Sequence, residues 1–207
     1  MSPAISTELI DTIVFGTQHL EGWCPPDKAV ETVELILSDR PAVVVEVGVY
    51  GGKWLIPAAM AIAQNGSGKA FAIDPWTNDA CAEGGAAEDG HAWWGTTNLE
   101  ATYLSFKSEV ERRGLSGVVE IVRERGEIVV SRFENETIDL LHIDGNHSEL
   151  VSTRDVTLWL PKLRFGGWLV MDDVNWDSVK NAVNVAKQLC DVVRDSGQWA
   201  LFRKRHQ

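Results

Sequence analysis

Apolar positions along the chain switch between a period of two and a period near 3.6, and the switching predicts strands and helices in turn. Residues 42 to 47, Ala-Val-Val-Val-Glu-Val, form a β-branched run that enters a glycine-rich turn, and 54 to 63 then carries helical spacing that ends near Asn65-Gly66. A second strand, Ala70 to Ile73, stops at Asp74-Pro75, because proline cannot donate to a ladder. Helical spacing returns over Leu99 to Arg113. A strand at Val118 to Val122, a short helix near Glu127 to Phe133, a strand at Ile138 to Ile143 and a helix at Glu149 to Leu160 follow, then a strand at Gly167 to Met171 and a helix at Ser178 to Leu189. The last stretch, Asp191 to Arg194 and Trp199 to Arg203, reads as two strands joined at Ser196-Gly197. Residues 1 to 40 read as N-terminal helices broken at Pro25-Pro26, ahead of one domain over 41 to 207.

Strands alternating with helices define an α/β protein with a Rossmann-like, doubly wound, mostly parallel seven-stranded sheet, closed by a C-terminal antiparallel β-hairpin. Ligands of such sheets sit beyond the carboxyl ends of the strands, so residues just after each strand are the candidates for chemistry.

Composition narrows the partners. The chain has 207 residues, 44% hydrophobic and 24% charged, and no apolar run near the ~20 residues of a membrane-spanning helix. A formal charge of -11 opposes a polyanion, so a small-molecule substrate is expected, with no nucleic acid and no membrane. A homo-oligomer is compatible with the sequence. The start, Met-Ser-Pro-Ala-Ile-Ser-Thr-Glu, shows no basic region followed by an apolar core, so a cytoplasmic location is expected, and Cys24, Cys81 and Cys190 read as reduced and structural.

The turn Glu46-Val47-Gly48-Val49-Tyr50-Gly51-Gly52 lets backbone approach a ligand closely beside a helix start; the alternative is a tight connection without a ligand. Asp74, at the end of the next strand, suits ribose hydroxyls, or else caps the strand beside Pro75. Asp144 ends one strand and Asp172 and Asp173 the next. If those strands are neighbours ~4.8 Å apart, the three carboxylates can share one hard cation such as Mg²⁺, which would relieve their repulsion; otherwise Asp172 or Asp173 caps the following helix. His147, three residues past Asp144, suits proton removal from an acidified hydroxyl, with helix capping as the alternative, while His142 inside its strand reads as core. The segment 76 to 97 is long and irregular and is expected to cover the substrate, with Trp93 and Trp94 offering flat contact area or simply packing beneath it. Trp54, Trp159, Trp168 and Trp199 fall within elements and read as core.

Val45-Glu46-Val47-Gly48, Ile73-Asp74, the stretch Ile138-Asp139-Leu140-Leu141-His142-Ile143-Asp144-Gly145-Asn146-His147-Ser148 and Gly166-Gly167-Trp168-Leu169-Val170-Met171-Asp172-Asp173 together resemble class I S-adenosylmethionine-dependent methyltransferases. Within that class they are similar to the macrocin and mycinamicin sugar O-methyltransferases and their cephalosporin-biosynthesis relatives. The resemblance spans about residues 40 to 205 and implies S-adenosylmethionine in a pocket lined by Glu46, Gly48 and Asp74. Tyr50, Gly51, Gly52 and Asp144 belong to the same expected cofactor surface. It also implies Mg²⁺ on Asp144, Asp172 and Asp173, His147 as general base, and O-methylation of a small-molecule hydroxyl. A non-methylating, hydroxylase-like relative, a nicotinamide-dependent oxidoreductase and a non-catalytic binding protein are the alternatives; Tyr50, at the middle glycine of the dinucleotide fingerprint, argues against the second. Lys53 and Trp54 depart from the small hydroxyl residues that relatives often carry after the turn.

Overall fold

The computed structural model describes residues 6–85 and 91–206. The chain runs α1 (Thr7–Phe15), α2 (Pro26–Asp39), β1 (Val43–Val47), α3 (Leu55–Asn65), β2 (Lys69–Ile73), α4 (Asn78–Ala82), α5 (His91–Thr96), α6 (Leu99–Arg112) and β3 (Val119–Val122). It continues through α7 (Gly126–Val129), β4 (Ile138–Ile143), α8 (Glu149–Trp159), β5 (Leu163–Met171), α9 (Lys180–Leu189), β6 (Cys190–Asp195) and β7 (Ala200–Lys204). Pro26 occupies the first turn of α2, where a missing N–H breaks no helical bond.

One seven-stranded sheet, in the order β3-β2-β1-β4-β5-β7-β6, organises these elements. β7 is antiparallel to both β5 and β6, and the other neighbours are parallel. The order reverses between β1 and β4, so the chains leaving those strands diverge and open a crevice at the carboxyl edge. Successive residues of β1 feed opposite faces: Val44 packs with Leu55, Ile56, Ile62 and Phe106 under α2, α3 and α6, while Val45 and Val47 pack with Val156 and Trp159 under α8 and α9. Burial on both faces explains why the central strands read as continuous apolar runs. No helix of the described residues is long and apolar enough to cross a membrane.

Three expectations change. β5 begins at Leu163, four residues before the expected Gly167, because it is bulged: its pairing with β4 jumps from Ile138↔Leu163 to Leu140↔Trp168, and Gly166 takes φ +66° within the bulge. A Gly-Gly pair reads as a strand start when it is a strand interruption. The segment 76 to 97 contains α4 and α5, of five and six residues, too short for helical periodicity to register. Residues 86–90 of that segment, together with 1–5 and 207, lie outside the described residues. Trp168 is only half-buried: its Nε1 donates to Asp39 Oδ2 (2.8 Å) and the Arg203 guanidinium lies 4.0 Å over its ring. Trp54, Trp159 and Trp199 are core, each 2% exposed or less.

Gly48 sits where β1 and β4 part. Its φ is +87°, and a Cβ there would lie 2.1 Å from the Asp144 carbonyl oxygen, a backbone atom that cannot swing aside. Gly48→Ala is therefore expected to lose at least about 2 kcal/mol of stability, from left-handed strain plus the clash. Urea unfolding measures this, and an unshifted midpoint would show that the two strand ends are free to move apart.

Candidate active site

The turn after β1 is held by Asp74. Its Oδ2 accepts from the backbone N–H groups of Val49 (2.9 Å) and Tyr50 (3.0 Å), and its Oδ1 from that of Trp76 (2.7 Å). With two lone pairs per oxygen, one acceptor position is left, on Oδ1. Burial pushes this carboxyl up against the pull of the three amides. Asp74 thus shapes the turn, and Trp76 Nε1 adds a bond to the Tyr50 carbonyl oxygen (2.9 Å). Gly48, Val49 and Tyr50 line a cleft that opens to solvent, whereas Gly51 and Gly52 do not. Those two press instead against Glu21 and Phe106, where a Cβ would come within 2.5 Å and 2.4 Å of the neighbour.

The cleft floor is acidic and internally paired. Glu46 Oε1 lies 2.9 Å from His142 Nδ1, and Glu46 Oε2 is buried without a hydrogen-bond partner. Burial pushes Glu46 up to about 7. His142 stacks on Trp54, with ring centroids 4.3 Å apart, and its Nε2 is 3.5 Å from Asp172 Oδ2. Trp54 Nε1 donates to Thr32 Oγ1 (2.9 Å), which gives this departure from the expected small residue a packing role. Asp172 Oδ2 is ion-paired with Lys28 Nζ, whose side chain is completely buried. Burial alone would raise the Asp172 carboxyl, but the Lys28 ammonium holds it well below the usual carboxylate range.

His147 bridges the outer part. Its Nε2 is 3.1 Å from Asp173 Oδ2 and 3.5 Å from Asp144 Oδ1, and its ring meets Trp176 edge-on at 4.9 Å. Burial and the charge of Asp172 push the Asp144 carboxyl up to about 6. The expected trio Asp144, Asp172 and Asp173 does not converge as one set. Among the described residues, ligand atoms within 4.8 Å of one another occur instead in two sets that share Asp144: His142, Asp144 and Asp172 inside, and Asp144, His147 and Asp173 outside. Lys28 supplies a counter-charge to Asp172 within this cluster.

A strap crosses the cleft. Asn146 Nδ2 donates to the carbonyl oxygens of Ala80, Cys81 and Glu83 (2.9, 2.9 and 3.0 Å), and its Oδ1 accepts from the Ser148 N–H (2.8 Å) at the start of α8. Glu83 is bonded to Arg125 and to Arg154 Nη1 (2.6 Å). At the mouth, Trp94 lines the cleft and meets Trp93 at 4.6 Å, Tyr50 at 5.6 Å and Trp23 at 6.4 Å. Trp93 stands outside the lining, 44% exposed.

Sequence reasoning missed Lys28, Trp23, Asn146 and Asp155. A signal existed for Lys28, which falls among Ala29, Thr32, Val33 and Ile36 on the buried stripe of α2, where a lysine needs a partner. Asn146 was visible within the quoted stretch but carried no pattern pointing to the strap.

The architecture is that of a doubly wound α/β protein with its ligand cleft at the switch point of the sheet. A family model described as a methyltransferase domain matches residues 45–174, and the chain belongs to that family. No curated protein matches the sequence. Among solved structures, the S-adenosylhomocysteine-bound methyltransferase PaMTH1 of Podospora anserina superposes with a TM-score of 0.66 at 11% identity, covering 98% of this chain and 89% of that one. The O-methyltransferase TomG of Streptomyces achromogenes, involved in tomaymycin synthesis and in complex with S-adenosylmethionine, gives 0.64 at 14% identity, covering 98% and 92%. The O-methyltransferase of Bacillus cereus in complex with S-adenosylhomocysteine gives 0.62 at 14% identity, covering 99% and 94%. These likenesses establish the shared fold.

Asp155 lines the cleft and is 4% exposed. Burial, opposed by the charge of Arg154 and reinforced by Glu127 and Glu83, pushes its carboxyl up to about 7. An unfolded Asp titrates near ~3.9, so the folded state holds the extra proton between the two values, and stability falls as pH rises through that window. Asp155→Asn is expected to flatten this fall, leaving the part due to Glu46 and Asp144. Urea unfolding at pH 5 and pH 8 checks it, and equal losses in both proteins would contradict the assignment.

Proposed function

We propose that this protein is an S-adenosylmethionine-dependent O-methyltransferase acting on a hydroxyl of a small molecule, with His147 as the general base. The carrying observation is His147 Nε2 placed between Asp173 Oδ2 and Asp144 Oδ1 in the cleft that the Gly48 turn also lines. Membership of the methyltransferase-domain family and the cofactors of the similarly folded proteins support the reading.

S-adenosylmethionine, when bound, supplies a methyl group on a sulfonium that a deprotonated oxygen can displace. The cleft fits it: the open acceptor position on Asp74 Oδ1 suits a ribose hydroxyl, and the unpartnered Glu46 Oε2 is a buried acceptor awaiting a donor. With its proton on Nδ1, the His147 ring takes the proton from the substrate hydroxyl at Nε2, and the carboxylates of Asp144 and Asp173, 3.5 and 3.1 Å from that nitrogen, favour and stabilise the charged ring that results. Mg²⁺ fits the outer set, since it commonly takes one or two carboxylates and keeps several waters. Asp144 and Asp173 would hold it, and its charge would make a nearby hydroxyl more acidic. Asp172, already neutralised by Lys28, falls outside that set. Trp94, with Trp23 and Trp93 around it, offers a flat apolar wall to the substrate.

His147→Ala is expected to keep the affinity for S-adenosylhomocysteine in calorimetry while turnover falls roughly 10²- to 10⁴-fold, the usual worth of a positioned base. Undiminished turnover would remove the base, and binding of NAD without either methyl-cofactor form would remove the whole reading. Chelation by EDTA is expected to lower turnover, with recovery on adding Mg²⁺; activity that survives EDTA counts against the ion at Asp144 and Asp173.

A further inference from the structure

Lys28 lies outside the matched family domain, on α2, yet its ammonium reaches the carboxyl edge of the sheet. Its side chain is 0% exposed, and the Asp172 side chain with which it pairs is 12% exposed. Around it, one ligand atom each from His142, Asp144 and Asp172 lie within 4.8 Å of one another. His142 Nε2 is buried, has no hydrogen-bond partner and stands 3.5 Å from Asp172 Oδ2. Two carboxylates and an imidazole at that spacing form a donor set suited to a divalent ion. In this chain the positive charge at that place is an amine on a helix.

We propose that Lys28 is the resident cation of the inner acidic set, a tethered positive charge standing where a divalent ion would otherwise bind. Lysine suits the position because its ammonium is a compact point charge with three donors, so it can serve Asp172 directly and Asp144 through the field. The consequence is a division of the acidic cluster. Asp172 is fixed by the protein itself at all metal concentrations, and a divalent ion is confined to the outer carboxylates, Asp144 and Asp173. This concerns the charge balance of the site and holds whichever atom is methylated.

The test counts Mn²⁺ per chain by electron paramagnetic resonance and follows thermal unfolding with and without Mn²⁺. Wild type, Lys28→Ala and the double variant Lys28→Ala/Asp172→Asn are compared. Removing the amine leaves the inner donor set uncompensated, so Lys28→Ala is expected to unfold at lower temperature than wild type without metal. It is expected to bind one Mn²⁺ per chain more than wild type, and to gain a larger rise in Tm from it. The double variant, with both charges gone, is expected to fold without metal and to return to the wild-type count. An equal count in Lys28→Ala and wild type overturns the proposal. So does a Lys28→Ala chain that stays unfolded in saturating Mn²⁺, or an extra Mn²⁺ that persists in the double variant, since each places the effect elsewhere than the inner set.

Discussion

The ion pair between Lys28 and Asp172 is the interaction on which the arrangement of the site depends. β1, β4 and β5 are neighbours, and they deliver Glu46, Asp144 and Asp172 to one edge of the sheet. Removing one partner of such a pair would leave an uncompensated charge at a cost of several kcal/mol, so the acids can crowd together only while the amine is present. This requirement fixes how α2 docks. Lys28 must face inward, and one turn later Thr32 receives the indole N–H of Trp54, which stacks on His142, which in turn holds Glu46. A line of contacts therefore runs from the N-terminal helix into β1. Residues before the sheet build the site rather than decorate it, and Trp23 at the cleft mouth extends the same contribution.

Backbone strain collects at the same edge. Apart from glycines, left-handed φ angles occur among the described residues at five positions, and three of them, Tyr50, Trp76 and Asp173, lie within three residues of the ends of β1, β2 and β5. Such angles persist only where the surroundings over-determine them. Asp74 does this for the first two by binding the N–H groups of both Tyr50 and Trp76. For Asp173 the backbone helps: its carbonyl accepts from Trp176 N–H at 2.9 Å, and Val174 N–H donates to the Gln198 carbonyl of the hairpin at 3.0 Å. The C-terminal β-hairpin thus helps to hold the turn that presents Asp173 to His147.

The periodic part of this architecture was legible in the sequence because the central strands and the long helices each bury a face, and burial imposes a period. What was not legible depends on contacts between distant residues or on elements too short to repeat. Lys28 and Asp172 are 144 positions apart, and no local pattern links a lysine in one helix to an acid at the end of β5. Asp74 could be placed at its strand end, but its binding of the neighbouring turn needed the register of β1 against β2. The metal-ligand reading of Asp144, Asp172 and Asp173 followed from strand adjacency, which is correct, whereas the pairing of Asp172 with Lys28 and the left-handed turn at Asp173 had no local signature. Gly51 and Gly52 were read as ligand-facing because the turn is glycine-rich, whereas their small size serves the approach of Glu21 and Phe106.

Division of the acids resolves a conflict built into a cleft of this kind. A site that receives a cationic sulfonium gains from negative charge, but carboxylates brought together raise one another's pKa and lose that charge near neutrality. Asp144 shows the effect, pushed up to about 6 by burial and by its neighbour Asp172. Neutralising Asp172 from within, by a group that solvent and chelators cannot remove, limits the repulsion that Asp144 experiences. Asp144 can then stay ionised around neutral pH and, together with Asp173, act on His147. The buried amine of Lys28 thereby influences the charge available at the outer carboxylates, where the chemistry would take place.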